Sequence, residues 1–504
     1  MKNHCLLCLF LSPFFLLAQN PSLGIFQNQV AIGVPRNIGA ARYEAASQTY
    51  FLKSSGYHSG SNRDGCQFAY EKRTGDFVLT AHFAFVGTGK DPLRQMGWMV
   101  RANTQADAVQ ISAAVQGNGL TALQWRLLRG AFRRDPEDKI LCPKKNLQIL
   151  QLERQGKTFT MRVANWGEPL QTVGTKEMDP LGDSVLVGLF IAVQDSLAVE
   201  EARVWNVRID KPVADDYIPS RQGYLGSRLE IINPFDGVRK VIHTHTGRFE
   251  APNWMPDGKR LLFNQDGSLW LIPTEGGATE LFNTGFANRN NNDHGISFDG
   301  KQLAISHHRQ GLPGGGSTIY VLPLTGGEPK LVTEKTPSYW HGWNPNGQEV
   351  LYVALREERK AYNIYKIATN GGAEVALTQD DIGHNDGPEF SPDGRFIYYN
   401  ANPTGTMQIW RMKPDGSARE QLTFDEYHNW FPHISPDGKW LVMISFPPTI
   451  EPNAHPSYKR VLLRLMPVAG GAPRVIAYLY GGQGTINVPS WSPDSKFLAF
   501  VSNF

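Results

Sequence analysis

Charge, cysteine and long apolar runs are all scarce in this 504-residue chain. Charged residues make up 19%, and 50 basic against 47 acidic side chains leave a formal net charge of +3. No run of five or more Lys or Arg occurs, so the basic stripe that follows a phosphate backbone is missing and a nucleic-acid partner is excluded. Beyond the first 18 residues no apolar stretch approaches the ~20 residues that cross a bilayer, so no membrane span is expected. Four cysteines are too few for a disulfide scaffold. Several chemical signatures are also absent: no G-x-S-x-G elbow, no H-E-x-x-H helix and, beyond the leader, no Cys-x-x-Cys pair. Gly156-Lys157-Thr158 imitates the end of a phosphate loop, but position 151 is Gln where the first Gly must stand. Disorder is excluded by 41% hydrophobic and 11% aromatic content.

What is abundant is turn-forming residues. Gly (50) and Pro (33) together exceed 16% of the chain, which fits all-β structure better than helical bundles. The length suggests about three domains, or two large ones of sandwich or propeller type. The opening MKNHCLLCLFLSPFFLLAQN has one Lys, an apolar stretch from Leu6 to Leu17 and then Ala18, the pattern of a cleaved signal peptide over 1–18. A periplasmic or secreted protein is expected. Cys5 and Cys8 fall inside the leader, leaving Cys66 and Cys142, which in an oxidising compartment either form one disulfide or stay as two buried thiols.

One turn motif recurs six times: Met255-Pro-Asp-Gly258, Ser297-Phe-Asp-Gly300, Asn344-Pro-Asn-Gly347, Ser391-Pro-Asp-Gly394, Ser435-Pro-Asp-Gly438 and Ser492-Pro-Asp-Ser495. The third positions are spaced 42, 47, 47, 44 and 57 residues apart, a period that suits a four-stranded blade. An apolar strand follows each motif (RLLFN, QLAIS, EVLYV, RFIYY, KWLVM, KFLAF). In most units a second strand and a Gly-Gly or Asp-Gly hairpin turn come next. The sixth unit ends at Phe504 without its outer strands, and 228–242 (RLEIINPFDGVRKVI) has the pattern to supply them. The expectation is a six-bladed β-propeller over 228–504, closed by its own first strands.

These SPDG turns, apolar strands and GG turns resemble the TolB-like propellers, whose repeats are relatives of the WD type. The resemblance covers roughly 222–504 and implies the fold rather than a function. TolB itself carries an α/β domain ahead of its propeller that binds envelope partners, whereas here 29–210 reads as a β-sandwich of alternating runs such as DFVLTAHFAFV (76–86) and SVLVGLFIAV (184–193). The order Arg36-Asn37-Ile38-Gly39, Gly75-Asp76-Phe77, Gly97 to Arg101, Leu152-Glu153-Arg154 and Val187-Gly188-Leu189 resembles secreted concanavalin-like jelly rolls that accompany polysaccharide-processing proteins. Trp98, Trp125, Trp166 and Trp205 there read as core more readily than as sugar platforms. Residues 211–227, with Pro212, Pro219, Gly223 and Gly226, read as a linker.

Aligning the six motifs exposes a candidate site on the connections into the innermost strands, which should surround the upper tunnel mouth. Seven residues before the third motif position stand Glu250, Asn292, Tyr339, Asp386, Trp430 and Asn487; five before it stand Pro252, His294, His341, Pro388, Pro432 and Pro489. Residues two apart in a strand share a face, so both series are expected at the mouth together. Ten of the 13 histidines map to this predicted face: His243, His245, His294, His307, His308, His341, His384, His428, His433 and His455. The bland alternative is a water-bridged tunnel lining.

The leading expectation is a glycan-binding protein using the upper face, the sandwich, or both, with Tyr339 and Trp430 as sugar platforms. An enzymatic rival is a polysaccharide lyase or glycosidase on the same face. TolB-like propellers include oligogalacturonate lyases, whose metal is held by histidines, and this resemblance implies a divalent metal ion on His294, His341 and His433 as the one cofactor. A third reading is an envelope protein-interaction platform of the Tol type.

Overall fold

The computed structural model describes residues 22–33, 39–56 and 62–504. The leader at 1–18 and Arg36-Asn37-Ile38 lie outside the described residues. Among the described residues the structure is all-β apart from one α-helical turn, Pro219–Gln222, and two short 3-10 segments. Among the described residues no helix is long and apolar enough to cross a membrane.

Up to Asp210 the strands form two seven-stranded antiparallel sheets. Apolar residues alternate along them, and the inward set builds one core around Leu52, Leu79, Trp98, Leu123, Leu150, Phe159 and Leu189. Trp98 and Trp125 belong to that core, and the Trp98 indole donates to Leu150 O at 3.3 Å. Trp166 packs instead against strands of the C-terminal part. The bridge between Cys66 and Cys142 is not formed; both are buried free thiols. Cys142 packs in the core between the sheets, while Cys66 packs in a separate cluster with Ile32, Phe68, Met99 and Phe190. Burial pushes the Cys66 thiol up to about 12.

The C-terminal part repeats one unit. Strands Glu250–Trp254, Arg260–Gln265, Ser268–Pro273 and Glu280–Leu281 make a four-stranded antiparallel sheet, and three more of the same kind follow. The recurrent turn explains itself at Ser435-Pro-Asp-Gly438. Ser435 Oγ donates to Asp437 Oδ1 (2.5 Å) and accepts from the Trp440 amide (3.0 Å), while the Lys439 amide donates to Asp437 Oδ1 (3.1 Å). Gly438 adopts φ 71° without strain, and Ser495 is held in the same left-handed conformation at φ 61° in the last copy. Innermost strands of successive units adjoin one another, and Glu250–Trp254 adjoins the last strand, Leu498–Asn503, closing a ring.

Residues 228–242 fall in Ser227–Ile232 and Arg239–His245. The first pairs antiparallel with Leu498–Asn503, from Ser227 opposite Asn503 to Ile232 opposite Leu498, and the second pairs with the first. Through the single pair Tyr480–Asn503 this sheet merges with the preceding one, so seven strands run continuously.

The two parts are joined by buried polar contacts. Arg208 of the sandwich and Arg239 clamp Glu230, which is fully buried. Gln48 exchanges two hydrogen bonds with the Val241 backbone (2.7 and 2.9 Å), and Asn206 bridges Gly237 O and the Arg239 amide (2.7 and 2.8 Å). Ile149, Ala164, Val475 and Tyr478 add an apolar seam.

Candidate functional site at the tunnel mouth

A cavity of about 590 Å³ opens where the innermost strands begin. It is lined by residues from every unit, among them Glu250, Asn292, Asp293, Tyr339, His341, Asp386, Phe431 and Asn487, with Arg248, Asp266, Tyr362, His384 and His455 from the surrounding loops and His308 from the end of the strand Gln302–His308.

Asp386 is the hub. His341 Nε2 lies 3.0 Å from its Oδ1, His384 Nε2 lies 3.1 Å and His455 Nε2 3.8 Å from its Oδ2, and the Gly387 amide donates to Oδ1 at 2.8 Å. Burial alone would raise this carboxyl, but the His341 charge and the hydrogen bonds from His341 and His384 outweigh it and hold it well below the usual carboxylate range. Burial opposes the His341 imidazolium, yet Asp386 and, less strongly, Asp293 prevail and raise its pKa. The two form a buried ion pair. For His455 burial wins and its pKa falls.

Aromatic rings hold these imidazoles in place. His341 stacks on Phe431 (centroids 6.0 Å, 16°), His384 on Tyr362 (5.0 Å, 30°), and His455 meets Trp430 edge-on at 4.5 Å. On the other side of the cavity Arg248 pairs with Glu250. Burial nevertheless keeps the Glu250 pKa raised, Arg248 opposing and Asp266 adding to the effect.

Asn292 and Asp293 differ from the rest because they are unpartnered. Asn292 is 3% exposed and its Nδ2 has no hydrogen-bond partner. Asp293 is 6% exposed, and no hydrogen bond to its carboxyl is found among the described residues. Burial, reinforced by Asp386 and Glu250 and opposed by His341, pushes its pKa up to about 7. Asn292 Nδ2 is thus an unmet buried donor, and the Asp293 carboxyl that follows it lines the cavity with its hydrogen-bonding capacity unused.

The sequence pattern of the TolB beta propeller domain matches residues 313–451. An uncharacterized protein of Agrobacterium fabrum is 44% identical over 283 residues, which span 56% of this chain and 94% of that protein. The chain belongs to the TolB-like β-propeller family. A solved structure described as a putative TolB from Agrobacterium tumefaciens, also 44% identical, aligns over 56% of this chain and 99% of its own length with a TM-score of 0.52. The Tol-Pal system protein TolB of Anaeromyxobacter dehalogenans is 28% identical over 100 residues, about a fifth of each protein.

Within this TolB-like propeller, Glu250, Asn292, Tyr339, His341, Asp386 and Asn487 all line the cavity. The four prolines of the −5 series do not, and neither do three of the expected ligand or metal residues. Trp430 is fully buried beneath His455 and His384, so it offers no sugar platform. His294 is fully buried off the cavity, where burial pulls its pKa down to about 4. His433 is buried with both ring nitrogens committed, Nδ1 to Glu389 Oε2 (2.6 Å) and Nε2 to Ile486 O (2.5 Å). His294, His341 and His433 therefore do not meet around a metal, and no metal-holding group of His, Cys, Asp or Glu is found among the described residues.

Strict alternation of faces does not hold along these innermost strands, because each of the first five units carries a register slip there. In the second and fifth units the pairing slips between Asn290 and His294 and between Trp430 and His433. Phe431, at φ 52°, takes the lining position that Trp430 was expected to hold, and Asp293 joins Asn292 while His294 turns away. Asp293 and Phe431 were thus missed by strict alternation. For Phe431 the available signal was Pro432, which like Pro252 and Pro388 marks a bulge; the second unit has no proline at this position and carries no such signal for Asp293. The residue before each of these prolines (Ala251, Gly387, Phe431) has positive φ.

Proposed function

We propose that this TolB-like protein acts outside the cytoplasm, after removal of a leader at 1–18, and binds a hydroxyl-rich ligand, a glycan segment, in the cavity at the tunnel mouth. The observation that carries this reading is a polar cavity of about 590 Å³ whose wall holds the Asp293 carboxyl, with no hydrogen bond to it among the described residues, next in sequence to the unmet donor of Asn292. A sugar hydroxyl in the cavity can donate to the Asp293 carboxylate, and the Asn292 amide, sealed from solvent as it stands, can donate to the ligand once its side chain turns toward the cavity. Tyr339 and Tyr362, whose ring centroids lie 6.3 Å apart, supply the apolar ring surface such ligands stack against. In this reading residues 228–504 form a six-bladed ring, 29–210 a concanavalin-like module and 211–227 the link between them.

A glycan array probed with the purified protein tests the binding, and the same incubations assayed for new reducing or unsaturated ends separate binding from lyase or glycosidase action. Binding lost on replacing Asn292 and Asp293 together supports the reading; no glycan bound at all refutes it.

A second reading is a platform for an envelope protein. It is favoured by the 44% identity to a structure described as a putative TolB. Co-purification of a discrete envelope protein with wild type, without glycan binding, would select it.

A further inference from the structure

We propose that the ligand of this cavity carries a positively charged nitrogen, as an amino sugar does, and that Asp293 is its counter-ion. The inference rests on the glycan reading above and narrows its ligand class.

Charge matching leads to it. Four carboxyl groups line the cavity: Glu250, Asp266, Asp293 and Asp386. Arg248 is matched to Glu250, and His341 to Asp386, which His384 and His455 also approach. Asp266, exposed at the rim, and Asp293, buried in the wall, have no ion-pair partner among the described residues. Asp293 is faced by His341 from the strand Ser338–Trp343, Asp386 from Asn385–Phe390 and Glu250 from Glu250–Trp254. The one cation among these three is already bonded to Asp386.

Without ligand, burial holds a proton on Asp293 up to about pH 7. An arriving ammonium group favours the carboxylate, so the Asp293 proton passes to solvent as the ion pair forms. Such a pair, shielded from water, is stronger than one on the surface. The unmet Nδ2 of Asn292, the preceding residue, suits a neighbouring hydroxyl oxygen once its side chain turns toward the cavity. An amine beside a hydroxyl on one ring satisfies both groups at once, and N-acetylation would remove the charge.

The test is calorimetry at pH 6 with a tetramer of glucosamine and its fully N-acetylated counterpart, titrated into wild type, Asp293→Asn and Asp293→Ser. The expected result is at least tenfold tighter binding of the amine form to wild type, with a buffer-dependent heat that reports proton release. Both the preference and the proton release should vanish in the two variants, whose melting temperatures show that they remain folded. Equal binding of the two tetramers overturns the inference and leaves the glycan reading standing, as does an array on which only neutral or acidic glycans bind. Retained amine preference in both variants removes Asp293 from the role. An array with no bound glycan defeats both readings, and a lysine tripeptide that binds where the amine sugar does not would transfer the cation to a protein partner and overturn the proposal.

Discussion

Arg208 Nη2 donates to Glu230 Oε2 at 2.5 Å, joining the sandwich to the propeller through a fully buried carboxylate. Arg239 Nη2 completes the clamp at 2.7 Å and Ser502 Oγ donates from the last strand at 2.5 Å. One side chain thus ties together the sandwich, the ring-closing strand and the chain's C-terminal strand. Burial opposes ionisation of Glu230, but the two arginines win and depress its pKa.

Glu230→Ala leaves two buried guanidinium groups without their counter-ion and should cost about 3–5 kcal/mol. Denaturant unfolding of both proteins checks this. Because the folded-state pKa is depressed, the contribution of Glu230 is present above the ordinary glutamate range and is lost as pH falls below it. The difference between wild type and variant should therefore shrink in acid.

Asp293 has the opposite sign. Its folded-state pKa lies at about 7, above the ordinary aspartate value, so the native state holds a proton that the unfolded chain has released. Stability from this group is greatest below the ordinary aspartate range and declines as pH rises through about 7. Asp293→Asn should accordingly gain stability relative to wild type between pH 5 and pH 8, by a few kcal/mol at most. Thermal melts of the two across that range read it directly; a pH-independent difference would contradict the assignment.

The repeats were legible because a blade's turn has a local chemistry: Ser, Asp and Gly at fixed offsets satisfy one another within five residues, as Ser435, Asp437 and Gly438 do. The alternation of −7 and −5 positions correctly brought Tyr339 and His341 to one cavity, where both line the mouth on either side of the buried Trp340. It failed at His294 and Trp430, which lie in the interior, and at the prolines of the −5 series, which do not line the cavity; a register slip in each of the first five innermost strands breaks the alternation. The loop contributions of Arg248, Tyr362, His384 and His455 depend on how separate connections converge, which no local spacing encodes. The free state of Cys66 and Cys142 was equally illegible, since it follows from which side of a sheet each faces.

Cys66 and Cys142 should be unreactive toward thiol reagents in the native protein and fully reactive after denaturation without reductant, because both are buried and burial pushes Cys66 up to about 12. Peptide mapping after alkylation should find both modified; a disulfide-linked peptide pair would contradict the fold described here.

Deleting 498–504 removes the strand that pairs with Ser227–Ile232 and the Ser502 contact to Glu230. This opens the ring and exposes strand edges. The truncated protein should lose its cooperative unfolding transition and aggregate, as read by scanning calorimetry and light scattering.

The central claim, that the tunnel-mouth cavity is the binding site, is tested most directly by isothermal titration of the tightest array-selected glycan into wild type and into the Asn292→Ala, Tyr339→Ala double variant. The account predicts at least tenfold weaker binding by the variant, with a melting temperature within a few degrees of wild type because neither side chain anchors the core. Equal affinity in the two proteins would place glycan binding elsewhere and contradict the account.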